Sequence, residues 1–306
     1  MITVADLSEL PQLMARLGFV VLVGSAINAA LTALWGLRWR YGITKAAGFR
    51  LSYAKALAAI VASFPVGNFL PANKLAQEAF RMAYVEAPND ARAKVMSATV
   101  LEWVSEAAIV GALLVAVIAR HYVRELLAAA TIVAAAASQE GTILERGRRA
   151  ARDFVGGIKA LTTSKDVVAV YLAVSLVIIV LDMFKVYEIL YLLGVRLTLL
   201  DLITLYVVLR VSSLGPTPAG LGFLEAGAAA ALGLMGVPAA TIAEFIVAIR
   251  LVDTVVPSLA GLAVLSLTGG LRVLRAARGR AHGELEDRDG ERLVRAQGRG
   301  RRDVDM

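Results

Sequence analysis

Residues 167–181, VVAVYLAVSLVIIVL, pass fifteen positions without a charge, and the apolar run continues to 193. A bilayer-spanning helix needs about 20 predominantly apolar residues, so a run of this length limits the fold more than any short motif does. Four further runs, roughly 17–37, 95–119, 122–138 and 239–267, punctuate the 306 residues. Hydrophobic residues make up 58% of the chain, above the roughly 45–50% apolar content of a soluble globular domain. The expected fold class is an all-α integral membrane protein. No cysteine is present, which excludes disulfides and thiolate-held metal. His121 and His282, the two histidines, both lie in basic, polar stretches. No metal site, His-containing triad, cofactor or nucleic-acid partner is therefore expected, and no catalytic residue is nominated. Nothing resembles a P-loop, so direct use of ATP is not expected.

Two more apolar runs, 51–70 and 198–214, end among helix breakers, in FPVGNFLPANK and SSLGPTPAGLG. Each is followed by a further segment, 75–87 or 221–236. A shift of 147 positions (218 − 71) lays Pro71-Ala72 on Pro218-Ala219 and Glu78-Ala79 on Glu225-Ala226. The same shift sets Glu106 on Asp253 and Trp103 opposite Arg250, which reads as an internal duplication. Lys and Arg favour the cytoplasmic side in short loops. The basic segments 38–50, 74–94 and 146–165 and the tail share one side only if 51–87 and 198–236 each enter the membrane and turn back. The expected architecture is thus a polytopic bundle of two inverted repeats, each with a re-entrant helical hairpin. Pro65, Pro71, Pro216 and Pro218 would mark the hairpin tips. Two Pro-kinked packing helices are the plainer alternative. Repeat one spans about 14–138 and repeat two about 160–268, within a membrane domain of residues 1–271. Between them, 139–166 reads as a basic loop with an amphipathic helix. The tail 272–306, with ten Arg and seven acids, reads as disordered and cytoplasmic.

Charges inside the apolar runs point to the site. Glu102, Glu106, Asp182, Lys185, Arg210, Glu225, Arg250 and Asp253 all lie there. Each costs roughly 2.5–3.5 kcal/mol at the bilayer centre, so eight left unpaired would cost on the order of 20 kcal/mol. They must pair or face water. Asp182 and Lys185, like Arg250 and Asp253, are three apart and could pair locally; a structural pair is favoured for Asp182–Lys185, a functional role for Arg210, Glu225 and Arg250 beside the broken segment. Irregular backbone at membrane depth is tolerated only inside protein or beside a watery cavity. Broken helices at matching places in inverted repeats mark transporter sites. A helix beginning near Gly220 would offer its free N–H groups to an anion. The nominated substrate-binding residues are Lys74, Glu78, Arg81, Glu102, Arg210, Gly220, Gly222, Glu225, Arg250 and Asp253.

The stretch Pro218-Ala219-Gly220-Leu221-Gly222-Phe223-Leu224-Glu225, followed by Gly236-Val237-Pro238 and Arg250-Leu251, resembles a known signature. It is similar to the C-terminal motif of the lysylphosphatidylglycerol synthase transmembrane, flippase-like family. Pro71, Glu78 and Arg81 resemble that family's first motif, and Glu102 and Glu106 its acidic element. Ala219 and Gln77 stand where the family has glycine, and Trp103 where it has arginine. The resemblance implies translocation of an anionic phospholipid or polyprenyl-phosphate-linked head group between leaflets of the cell membrane. It also implies no synthase activity, since the family's soluble aminoacyltransferase domain has no counterpart here. A secondary transporter of a small soluble anion and a polyprenyl-phosphate-dependent membrane glycosyltransferase remain alternatives. Homo-oligomerisation is left open.

Overall fold

Helix length separates the elements into two kinds. In chain order they are α1 (Val4–Ala47), α2 (Tyr53–Phe69), α3 (Asn73–Tyr84), α4 (Asn89–His121), α5 (Lys165–Leu192), α6 (Leu199–Ser212), α7 (Phe223–Leu234), α8 (Ala239–Arg250) and α9 (Val256–Leu267). This computed structural model describes residues 4–48, 50–69, 73–87, 89–121, 165–213 and 217–268, and among them every regular element is helical. Four segments are long and apolar enough to cross a membrane: Ala15–Lys45, Lys94–Ile118, Lys165–Leu192 and Ala239–Leu267. The chain is a multi-pass helical membrane protein. By contrast α2, α3, α6 and α7 hold 17, 12, 14 and 12 residues. At 1.5 Å per residue the longest of these reaches about 25 Å, short of a hydrocarbon core about 30 Å thick. The run 122–138, the loop before 165, the tail and residues Pro71 and Pro216 lie outside the described residues, as does the side chain of Lys74.

The order long helix, two short helices, long helix occurs twice. Adding 147 to the bounds of α2 and α3 gives 200–216 and 220–231, close to those of α6 and α7. Adding it to α4 gives 236–268, the span of α8 and α9 together. The short helices pair in sequence, α2 against α3 and α6 against α7. Each half has its own apolar core. Trp39, Ile43, Ala56, Ile60 and Val95 centre the first, and Ile189, Leu205, Leu232, Phe245 and Val252 centre the second.

Local chemistry sets the breaks. Thr198 and Asp201 form a reciprocal capping box that starts α6, with the Asp201 N–H donating to Thr198 Oγ1 at 3.2 Å. A Schellman turn ends α7, closed by the Val237 N–H on the Leu232 carbonyl at 3.0 Å, and Pro238 then opens α8. Pro257 lacks an N–H and its ring crowds the carbonyl four residues back. Just before it, Leu251–Val255 widen into a π-helical turn. Carbonyls in that turn accept from two asparagines of the first half: Val252 from Asn28 at 3.0 Å and Thr254 from Asn68 at 3.3 Å.

Three expectations change. Pro65 is not at a tip but buried inside α2. Its ring and the Val61 carbonyl back onto Gly261 of α9, where any Cβ would sit 2.4 Å from the proline ring, so α2 and α9 meet at a point only glycine allows. Arg38 is no loop residue, because α1 continues ten positions beyond the expected end at 37, and Arg38 is 4% exposed. Arg250 and Asp253 do not pair with each other. The π-helical turn between them displaces the usual three-residue register, and each turns to another helix.

Candidate functional site

Each half buries a cation between carboxylates. In the first, Arg38 of α1 donates to Glu106 Oε1 of α4 at 2.7 Å and lies 3.4 Å from Glu102 Oε1, one turn earlier. Its other terminal nitrogen donates to Ser175 Oγ of α5 at 2.8 Å. In the second, Lys185 of α5 donates to Asp253 Oδ1 at 2.6 Å and to Asp182 Oδ1 at 2.8 Å. Arg38 and Lys185 are 147 apart (185 − 38), as are Glu106 and Asp253 (253 − 106). The same cation–carboxylate bond therefore closes both halves.

The hairpin glutamates also occupy equivalent positions but choose different partners. Glu78 of α3 accepts from Arg81 of the same helix at 2.5 Å and from Thr99 Oγ1 at 3.1 Å, while Arg81 Nε reaches Ser63 Oγ at 3.0 Å. Glu225 of α7 accepts from Arg250 Nε of α8 at 2.6 Å and from the Gly222 N–H at 2.7 Å. Two further Arg250 bonds run to the carbonyls of Ala219, at 2.6 Å, and Gly220, at 3.2 Å. The arginine that Trp103 replaces in the first half is thus supplied there by Arg81. The N-terminal donor of α7 at Gly222 is met by Glu225 itself, an anion where the helix dipole favours one.

The 218–220 turn is tight. Ala219 sits at φ +50°, in the left-handed region, between Pro218 and Gly220 at φ +64°. A left-handed conformation favours glycine, and here an alanine carries it. Ala219→Gly is expected to raise stability by up to about 1 kcal/mol, because it removes left-handed strain and keeps the carbonyl that Arg250 holds. Thermal unfolding in detergent checks this; a lower midpoint would mean that the turn is not strained.

These charges face common space. One cavity of about 210 Å³ is lined by Asp182, Lys185, Arg210, Arg250 and Asp253, with Ala219 at its edge. A second, of about 200 Å³, is lined by Arg38, Glu78, Arg81, Glu102 and Glu106. Trp35, Phe64, Asn68, Arg210 and Asp253 line both, so the two form one groove between the halves. Arg210 of α6 donates to Asp182 Oδ2 at 2.5 Å and from Nε to Tyr206 at 2.9 Å, and its Nη1 donates to no described residue. Around the groove, five cations (Arg38, Arg81, Lys185, Arg210, Arg250) meet six carboxylates (Glu78, Glu102, Glu106, Asp182, Glu225, Asp253). Among the described side chains the groove's cations do not outnumber its carboxylates, so an anion entering it would compete with a carboxylate for a cation.

Of the ten nominated residues, Glu78, Arg81, Glu102, Arg210, Arg250 and Asp253 line this groove; Gly220, Gly222 and Glu225 lie behind it, bonded to Arg250 or to each other. Arg38, Asp182, Lys185 and Asn68 were not nominated. The 147-residue shift, which lays Arg38 on Lys185, carried the signal for two of them.

Neither a curated protein nor a solved structure matches the chain. A family model does, over residues 1–261, which include α1 to α8 and the start of α9. It describes the transmembrane region of lysylphosphatidylglycerol synthases. The chain belongs to the lysylphosphatidylglycerol synthase TM-region family.

Proposed function

We propose that the protein translocates a phosphate-bearing lipid head group between membrane leaflets through the groove where its two halves meet. The observation that carries this reading is the groove itself, lined by paired charges from both halves and placed among membrane-spanning helices. A soluble or purely structural bundle has little use for eleven ionisable groups there, since each must be neutralised at depth. The family assignment supports the same reading.

In this reading the two hairpins are re-entrant, enter from opposite faces and belong to inverted repeats. The shortness of α2, α3, α6 and α7 supports that arrangement. The basic segments 38–50, 74–94 and 146–165 and the tail are cytoplasmic, in the cell membrane. The phosphate binds Arg210 first, through the Nη1 that donates to no described residue, then Lys185 or Arg250 as their carboxylates are displaced. Arginine grips phosphate in a two-pronged geometry that a lysine cannot match. Glu225, seated at the N-terminus of α7 by Gly222, marks an anion seat that phosphate can occupy in its place, close to Gly220. On the first half Lys74, Glu78, Arg81 and Glu102 handle the head group in the same way. The carboxylates re-pair with the cations once the head group leaves, so the cations are paired both before and after transfer. The chain acts as a transporter rather than an enzyme, its partner being membrane lipid.

Proteoliposomes test this directly. Fluorescent phosphatidylglycerol, a zwitterionic phospholipid and a polyprenyl-phosphate sugar are followed as they become accessible to a membrane-impermeant quencher. Wild-type protein is expected to speed transfer of at least one of them. Arg210→Gln is expected to slow it by about tenfold, the loss of one charged hydrogen-bonding group. Asp182 keeps Lys185 in that variant, so folding survives. No acceleration of any lipid, together with uptake of a soluble anion, would replace the lipid reading by small-solute transport.

A further inference from the structure

We propose that the apolar cavity between α4 and α6 holds the hydrocarbon chain of the lipid whose head group occupies the groove. This rests on the translocation reading above and adds the path taken by the tail. The cavity has a volume of about 250 Å³. Ala107 and Val110 of α4, Ile179 of α5 and Val211 of α6 wall it. It shares Trp103, Glu106 and Arg210 with the charged groove, and Arg210 alone borders all three spaces. A molecule with a charged end and a hydrocarbon end fits that junction, with its phosphate at Arg210 and its chain over Val110 and Ile179. A small soluble anion would leave the apolar part unused.

The two halves differ at this place. Position 250 carries an arginine that ties α8 to α7 and to the 219–220 turn through three bonds. Its equivalent in the first half is Trp103 (250 − 147), which lines both the groove and the apolar cavity. An indole presents a large apolar face and a polar N–H, the combination found where hydrocarbon meets polar groups. The substitution that removes an arginine from the first half thus gives the groove an apolar side. On the outer surface, Ala107 is exposed and Val211 is 52% exposed, so the cavity meets the lipid-facing surface of the bundle between α4 and α6. A chain lying there remains continuous with the bilayer interior while its head group is inside the protein, and no acyl chain has to be drawn through charged surroundings.

Two measurements test the assignment in proteoliposomes. The first compares fluorescent phospholipids that share a head group and differ in the chain, palmitoyl or hexanoyl. Val110→Trp and Ala107→Trp, which fill the cavity without removing any charge, are expected to slow palmitoyl transfer by about tenfold and hexanoyl transfer by less than about twofold, a difference of roughly 1 kcal/mol in barrier. Trp103→Arg is expected to act like the filling variants. Equal slowing of the two lipids, or no slowing of either, overturns the proposal. The second uses wild-type protein and a phospholipid with a photoreactive diazirine on its chain. Labelling is expected on peptides containing residues 103–110 and 206–211; labelling confined to other helices overturns the proposal. Should wild-type protein move no lipid at all, the translocation reading falls, and the photolabelling still decides whether this cavity takes a hydrocarbon chain.

Discussion

Replacing Arg38 by methionine is expected to destabilise the protein by about 3–5 kcal/mol, the usual penalty for leaving a buried charge without its partner. Methionine keeps the volume of the side chain and removes only the cation. Glu102 and Glu106 would then face each other on one side of α4 with no compensating charge from α1. The Glu102 side chain is 6% exposed, so water offers it little relief. The triple variant Arg38→Met/Glu102→Gln/Glu106→Gln should recover most of the loss, since buried ion groups can be replaced by neutral ones of similar size at small cost. Denaturant or thermal unfolding of the purified protein in detergent measures both. A single variant as stable as wild type would show that the two carboxylates are neutralised in some other way, and the equivalence of Arg38 with Lys185 would lose its meaning.

Arg250→Ala is expected to spare stability far more and to damage transport far more. Its main partner, Glu225, has a side chain 30% exposed, so the carboxylate left behind can hydrate. What disappears is the clamp that joins α8 to α7 and to the carbonyls of Ala219 and Gly220. Losing one or two charge-assisted hydrogen bonds in the transport cycle corresponds to a fall on the order of tenfold to a hundredfold in rate. Arg250→Lys should recover little, because an ammonium cannot reach a carboxylate and two carbonyls in one plane. The leaflet-transfer assay reads the rate, and unfolding of the same preparations reads the stability. Equal losses in both would reduce Arg250 to a structural brace. Full transport with the clamp gone would remove the second hairpin from the mechanism.

The long helices were legible because length is a bulk property. Runs such as 95–119 and 239–267 coincide with Lys94–Ile118 and Ala239–Leu267 almost residue for residue. The hairpin glutamates were legible because Glu78 and Glu225 sit at one offset from the same Pro-Ala pair. Arg38 was not, because a cation one residue past an apolar run looks like the start of a loop until the partner that buries it is known. Helix α1 continues past it only because α4 brings two carboxylates alongside. Pro65 misled in the opposite sense, since a proline inside an apolar run reads as a break. Here the neighbouring helix supplies Gly261, which lets α9 pack directly against the proline ring. The Arg250–Asp253 spacing failed for a local reason, as a π-helical turn cannot be told from an α-helical one by the spacing of two charges. For Arg38 and Pro65, what the sequence lacked was the identity of the facing helix.

The ion pairs described above have one further property. Arg38 with Glu102 and Glu106, and Arg81 with Glu78, use only residues before 122. Lys185 with Asp182 and Asp253, Arg210 with Asp182, and Arg250 with Glu225 use only residues after 164. Among the described residues, hydrogen bonds from one half to the other run from Arg16, Asn28, Arg38, Asn68 and Tyr84 to hydroxyls and backbone carbonyls. During synthesis the first half can therefore leave the ribosome and settle in the lipid with both buried arginines already paired, before any of the second half exists. Assembly of the whole is then a docking of two pieces that each bring their own ion pairs, and the groove between them appears only at that last step.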